Sequence, residues 1–99
     1  MVLFRKIVVR GLPVSIRVSP VGRLISSDGK DILEVAGRPL LELNTVAAII
    51  WSELAAGVGP TEIVSQIAAR YDVSEEQARR DVSNLIRDLK QRLLVYQDS

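Results

Sequence analysis

The spacing of apolar residues changes once, sharply, in the middle of the chain. Leu41 and Leu43 alternate with Glu42, the period-two pattern of a half-buried strand. After Asn44 the apolar set becomes Ala47, Ile50, Trp51 and Leu54, and its i, i+3, i+4, i+7 spacing predicts a helix of about three turns. Asn44 stands at the change of period, where a side-chain oxygen can accept from an orphan N–H of the first turn. Gly57 stands where a helix favours a left-handed terminating residue. Residues 41–57 therefore read as strand, tight junction and helix. Trp51, the only Trp of the chain, reads as a core anchor. Its competing role is to line a partner groove.

Upstream the pattern is that of short strands. Leu3, Phe4, Ile7, Val8 and Val9 mark a first strand candidate over 2–10, broken by Gly11-Leu12-Pro13. Residues 14–18 alternate as a second, closed by Ser19-Pro20, and the two are a candidate hairpin. A strand over 22–27 around Leu24 and Ile25 leads to Asp28-Gly29, the strongest local hairpin signal in the chain. The next strand covers 31–35, with Leu33 and Val35 on one face. Residues 36–39 turn the chain, and 40–43 return as the last strand. Pro39 belongs at a strand start or on an edge. With Leu41 and Leu43 facing the core, Leu40 and Glu42 point outward.

Two further helices follow. Gly59-Pro60 opens the first, with Pro at the first helical position and a buried stripe of Ile63, Val64, Ile67, Ala68 and Tyr71. Ser74-Glu75-Glu76-Gln77 reads as a capping box, with Val73 and Ala78 as a hydrophobic staple. The stripe of this last helix is Ala78, Val82, Leu85, Ile86, Leu89 and Leu93. At about 100° per residue, Asp81, Asp88 and Arg92 lie beyond Leu85, whereas Arg79, Lys90 and, further round, Arg87 lie beyond Ile86. One flank is mixed acidic and apolar, the other basic.

Composition narrows the chemistry. Ninety-nine residues with 47% hydrophobic content suit one domain, 1–99, with a single core. There is no Cys and no His, so thiol catalysis, cysteine-bound zinc and the commonest general base are absent. No cofactor is implied. The 13 basic and 12 acidic residues give a net charge of +1, too little to draw the chain as a whole to nucleic acid or membrane. Neither a transmembrane run nor a secretory signal is legible, which suits a cytoplasmic protein.

Taken in order, Leu41-Glu42-Leu43-Asn44, then Ala47, Ala48, Ile49, Ile50, Trp51 and Gly57, resemble the core motif of the PqqD-like family. Pro60 through Tyr71 resemble its second helix. Glu75-Glu76, Arg80-Asp81-Val82, Leu85, Ile86 and Leu89 resemble its third. The likeness covers about residues 21–95, leaving 1–20 as an N-terminal strand extension. It implies an α+β, winged-helix-like fold, a small antiparallel β-meander followed by three helices. It also implies a RiPP recognition element, which binds the leader of a ribosomally made precursor peptide, as in lasso-peptide or pyrroloquinoline quinone biosynthesis. By this resemblance the leader adds as a strand to Arg38, Leu40, Leu41, Glu42 and Leu43 and packs against Asp81, Leu85 and Asp88. The expected partners are that leader peptide and a modifying enzyme or leader peptidase, not nucleic acid or membrane; the oligomeric state is left open.

Two departures stand out. The N-terminal extension exceeds the family pattern and suits a sheet extension, an oligomer contact or a dock for a partner enzyme. Leu93 replaces the family's usual Gly ahead of Leu94-Val95, so the last helix is free to run on toward Tyr96. A DNA-binding winged helix is the competing function, since three helices and a hairpin describe that fold too. Acidic residues on the last helix and the near-neutral total charge weigh against it.

Overall fold

The computed structural model describes residues 16–97. The strand expected over 2–10, and its hairpin with 14–18, lie outside them. The described elements run β1 (Ile16–Val18), β2 (Gly22–Ser27), β3 (Lys30–Val35), β4 (Arg38–Leu43), α1 (Thr45–Ala55), α2 (Pro60–Tyr71), α3 (Glu75–Gln91) and β5 (Val95–Gln97). Strands β2, β3 and β4 form an antiparallel sheet in sequence order, the expected meander. Among the described residues no helix is long and apolar enough to cross a membrane.

Both hairpins of the meander close through two-residue turns with positive φ at each central position. Asp28 and Gly29 sit at φ 52 and 76, and Ala36 and Gly37 at 52 and 80. That geometry matches the right-handed twist of the flanking strands. Asp-Gly announces it in sequence; Ala-Gly does so only through the glycine. Between the pairs Leu33↔Leu41 and Glu34↔Pro39 the β4 register slips, which leaves Leu40 as the extra residue of a bulge.

The caps explain where the helices begin and end. The Asn44 Oδ1 accepts from the Ala47 N–H at 2.8 Å. At the other end of α1, the Gly57 N–H donates to the Leu54 carbonyl and the Val58 N–H to that of Glu53, with Gly57 at φ 90. This paired closure needs a left-handed residue, which the Gly supplies. Ser74 caps α3 by accepting from the Gln77 N–H at 3.0 Å. The capping box is only half formed, because the Gln77 side chain reaches forward to Asp81 and Arg80 rather than back to Ser74.

Helix α3 does not run on. It stops at Gln91, and Leu93 turns the chain at φ 60. The Leu93 N–H donates to the Lys90 carbonyl and the Leu94 N–H to that of Leu89, the same closure that Gly57 makes on α1. Leu93 is 84% exposed, so it leaves the apolar stripe in which its spacing placed it. The chain beyond it forms β5, which pairs antiparallel with β1 and joins the two ends of the described chain. A 2.7 Å bond from the Ser19 N–H to the Leu94 carbonyl reinforces that joint.

The core draws on every layer: Leu33 and Leu43 from the sheet, Ile50, Trp51 and Leu54 from α1, Ile63, Val64 and Ile67 from α2, Val82, Ile86 and Leu89 from α3, and Leu94 and Val95 from the chain end. Trp51 is 3% exposed, as a core anchor should be. Two assignments shift. Ala48 rather than Ala47 takes the buried position on α1, and Tyr71 lies exposed at the end of α2 instead of closing its stripe.

Two stability outcomes follow. Trp51→Ala should cost about 3–5 kcal/mol, the range for buried aromatic truncation, read as a lowered midpoint in urea. Leu93→Gly should raise stability by up to ~1 kcal/mol. It removes left-handed strain of about 1–2 kcal/mol and returns part of that gain as unfolded-chain entropy. An unchanged or lower midpoint for Leu93→Gly would refute the strain.

Candidate functional site

In the order β2-β3-β4, the outer edge of β4 has no strand partner among the described residues. The ladder determines which groups that edge presents. The two-residue turn makes Val35↔Arg38 a bonded pair, and antiparallel bonding then alternates along the strands. The turn at Ser27↔Lys30 sets the same phase from the other side of β3. Opposite Ile32, Glu42 therefore turns its N–H and C=O outward, away from β3. Pro39, opposite Glu34, also faces outward, so its missing N–H takes no bond from the sheet.

Side chains on β4 divide accordingly. Leu43 is buried and Leu41, paired with Leu33, is half-buried, so both serve the core and offer a ligand mainly backbone. Leu40 is 43% exposed at the bulge. Glu42 is exposed and lies 3.9 Å from the Lys30 ammonium across the sheet. Arg38, also exposed, sits at the hairpin end of the strand, roughly 15 Å from Leu43 at the usual rise per residue.

At its other end β4 runs through Asn44 into α1, and here a groove of about 640 Å³ opens between α1 and α3. Val46, Ala47 and Ile50 line it from α1, and Asp81, Asn84, Leu85, Arg87, Asp88 and Gln91 from α3. Ile50, only 1% exposed, lies deepest, with Val46, Ala47 and Leu85 half-buried around it. The groove thus has an apolar floor and a polar rim. The expected α3 residues Asp81, Leu85 and Asp88 all line it; the β4 residues do not, and meet it only where Leu43 passes into Asn44.

The polar rim is partly engaged already. Asp81 accepts from the Gln77 Nε2 at 2.9 Å, and the Gln77 Oε1 accepts from Arg80 at 3.0 Å. Asp88 lies 3.8 Å from the Arg92 Nε. Arg87 donates to the Asn84 Oδ1 at 2.8 Å. Arg87, further round the helix than Arg79 and Lys90, nonetheless lines the groove. Asn84 and Gln91 could have been read beforehand, being three and ten residues beyond Asp81 on one flank. Val46 and Ala47 carried no separate signal, because small apolar residues near a helix start look like core.

Along α3, Arg79, Arg80, Arg87 and Lys90 balance Glu75, Glu76, Asp81 and Asp88. The helix as a whole therefore carries no net cationic excess of the kind phosphate binding requires. The arrangement is instead a sheet edge, unpaired among the described residues, that runs into an apolar-floored groove; strand addition of an extended peptide uses main-chain groups to pair with and a wall to pack against.

Comparison with known proteins points the same way. The family model for coenzyme PQQ synthesis protein D (PqqD) matches residues 32–95. Among solved structures, a lasso peptide synthetase B1 complexed with the leader peptide superposes with a TM-score of 0.72 at 25% identity, covering 83% of this chain and 98% of its own. TbiB1 in complex with the TbiA(beta) leader peptide gives 0.71 at 30% identity, covering 83% and 99%. The PqqD truncation of Methylobacterium extorquens PqqCD, a stand-alone RiPP recognition element, gives 0.71 over 83% and 88%. At 17% identity it is a likeness of fold. No curated protein matches the chain significantly.

As an exposed rim residue, Asp81 should be dispensable for folding. Asp81→Ala should change stability by no more than about 0.5 kcal/mol in urea unfolding. A larger loss would make it a structural residue.

Proposed function

Since the chain belongs to the PqqD family, we propose that it binds the leader region of a ribosomally made precursor peptide and presents it to a modifying enzyme or leader peptidase. The leader docks as a further strand on β4 and lies against α3. One observation carries this reading: the β4 edge, without a strand partner among the described residues, leads into the groove walled by Asp81, Leu85 and Asp88. Main-chain bonds to the edge supply affinity that any extended segment can share, and the groove supplies register and choice of sequence. The two structures in complex with leader peptides support the reading at 25% and 30% identity.

The protein acts here as a binding module without chemistry of its own. Incubated alone with its precursor, it should leave the peptide's mass unchanged; a mass change that survives repurification would overturn this. The DNA-binding alternative has no observation in its favour, given the balanced charge of α3.

Binding is tested with synthetic leaders of candidate precursor peptides. In titrations of the isotope-labelled protein, amide shifts should fall on β4 and along α3 from Asp81 to Asp88. Leu85→Ala and Asp81→Ala should each weaken the complex about tenfold, equivalent to about 1.4 kcal/mol, by fluorescence anisotropy. Lys90→Ala, outside the groove, should bind as wild type. Shifts confined to β1 and β5, with normal binding by Asp81→Ala, would rule this site out.

A further inference from the structure

We infer that the groove selects a leader that carries a lysine or arginine two residues from an aliphatic side chain, with the cation on Asp81 and the aliphatic group against Leu85. This rests on the reading that the leader docks as a strand on β4, and it adds the chemistry of the side chains that β4 itself does not choose.

Spacing is the first reason. Asp81 and Leu85 are one helical turn apart, about 6 Å along α3. Two side chains on the same face of an extended peptide, at i and i+2, are about 6.6 Å apart. A strand lying along the helix therefore presents successive groove-facing side chains to Asp81 and Leu85 in turn. Its intervening residue faces away and is left unspecified.

Charge is the second reason. Of the other ionic groups lining the groove, Asp88 is paired with Arg92 at 3.8 Å, and Arg87, held by the neutral Asn84 amide at 2.8 Å, lies beyond Leu85 along α3, away from Asp81. Asp81 has only the neutral Gln77 amide, at 2.9 Å, and no counter-ion among the described residues. A docked strand would cover the groove, exclude water from this carboxylate and strengthen its pairing with a cation. An acidic side chain at the same place would meet Asp81 directly, so the groove discriminates by repulsion as well as attraction.

Leu85 supplies the neighbouring preference. It stands half-buried beside Val46 and above Ile50, an apolar floor that a Leu, Ile or Val side chain can cover. An uncharged polar residue there would lose water without gaining a partner.

A random 12-residue peptide library displayed on phage, panned on the full chain, provides the probe. Enriched sequences should share Lys or Arg two places from Leu, Ile or Val, in either direction. One enriched peptide is then made with its basic residue intact and replaced by Gln, and both are titrated against wild type and Asp81→Asn. The basic peptide should lose about tenfold on Asp81→Asn, while the Gln peptide binds both proteins alike; this coupling is what a direct charge pair produces. Equal melting of Asp81→Asn and wild type guards against a folding effect. If bound peptides shift β4 and α3 amides but show no basic preference or no coupling to Asp81, this inference fails and strand docking stands. If no peptide binds, or shifts fall away from β4 and α3, both fail.

Discussion

The indole of Trp51 occupies the point where three separate stretches of chain converge. A Cβ built on Gly22 would stand 3.1 Å from its Cη2 and 3.2 Å from its Cζ2, and the same Cβ would lie 3.5 Å from a Leu94 methyl. The start of β2, the middle of α1 and the segment just before β5 thus meet at one ring, and a side chain in place of Gly22 would require the indole to give by a few tenths of an ångström. An aromatic of this size carries much of the apolar burial available to so small a core. Because it fixes α1 against the sheet, it also sets where the adjoining face of the helix goes, on which Val46, Ala47 and Ile50 form the groove wall.

That arrangement leaves β4 open without making it a general adhesive. An unpaired edge invites association with any extended chain. Here Pro39 removes an outward N–H, the Leu40 bulge interrupts the register, and Arg38 and Glu42 place charge along the strand. What stays regular is the stretch from Leu41 to Leu43, which leads into the groove. Generic pairing is thus confined to the part of the edge where side-chain selection is available.

The end of α3 shows a local cost accepted for a global connection. Leu93 adopts a left-handed conformation that glycine would take freely, and exposes 84% of its surface in doing so. In return the chain turns sharply enough for Leu94 and Val95 to enter the core and for β5 to reach β1. The family position is filled by an unfavourable residue, yet the turn still forms. The tertiary contacts on either side outweigh a strain of about 1–2 kcal/mol.

Local chemistry was enough to determine the meander, the strand-to-helix junction at Asn44, the Gly57 and Ser74 caps, and the stripes that bury Trp51, Ile63, Val82 and Leu89. Each depends on residues within a few positions of one another, and periodicity and capping report that range. The acidic flank of α3 was legible for the same reason, since Asp81, Leu85 and Asp88 share one face of one helix. The resemblance to a family supplied the link between that flank and β4. Only the tertiary structure decided that Ile16–Val18 pairs with Val95–Gln97, because alternation marks a strand without recording which strand it pairs with. It alone stopped α3 at Gln91, where no glycine signals the end, and it brought Val46, Ala47 and Ile50 opposite Leu85 as a groove. Which faces of two helices meet depends on how both rest on the sheet, and no spacing within either helix records that.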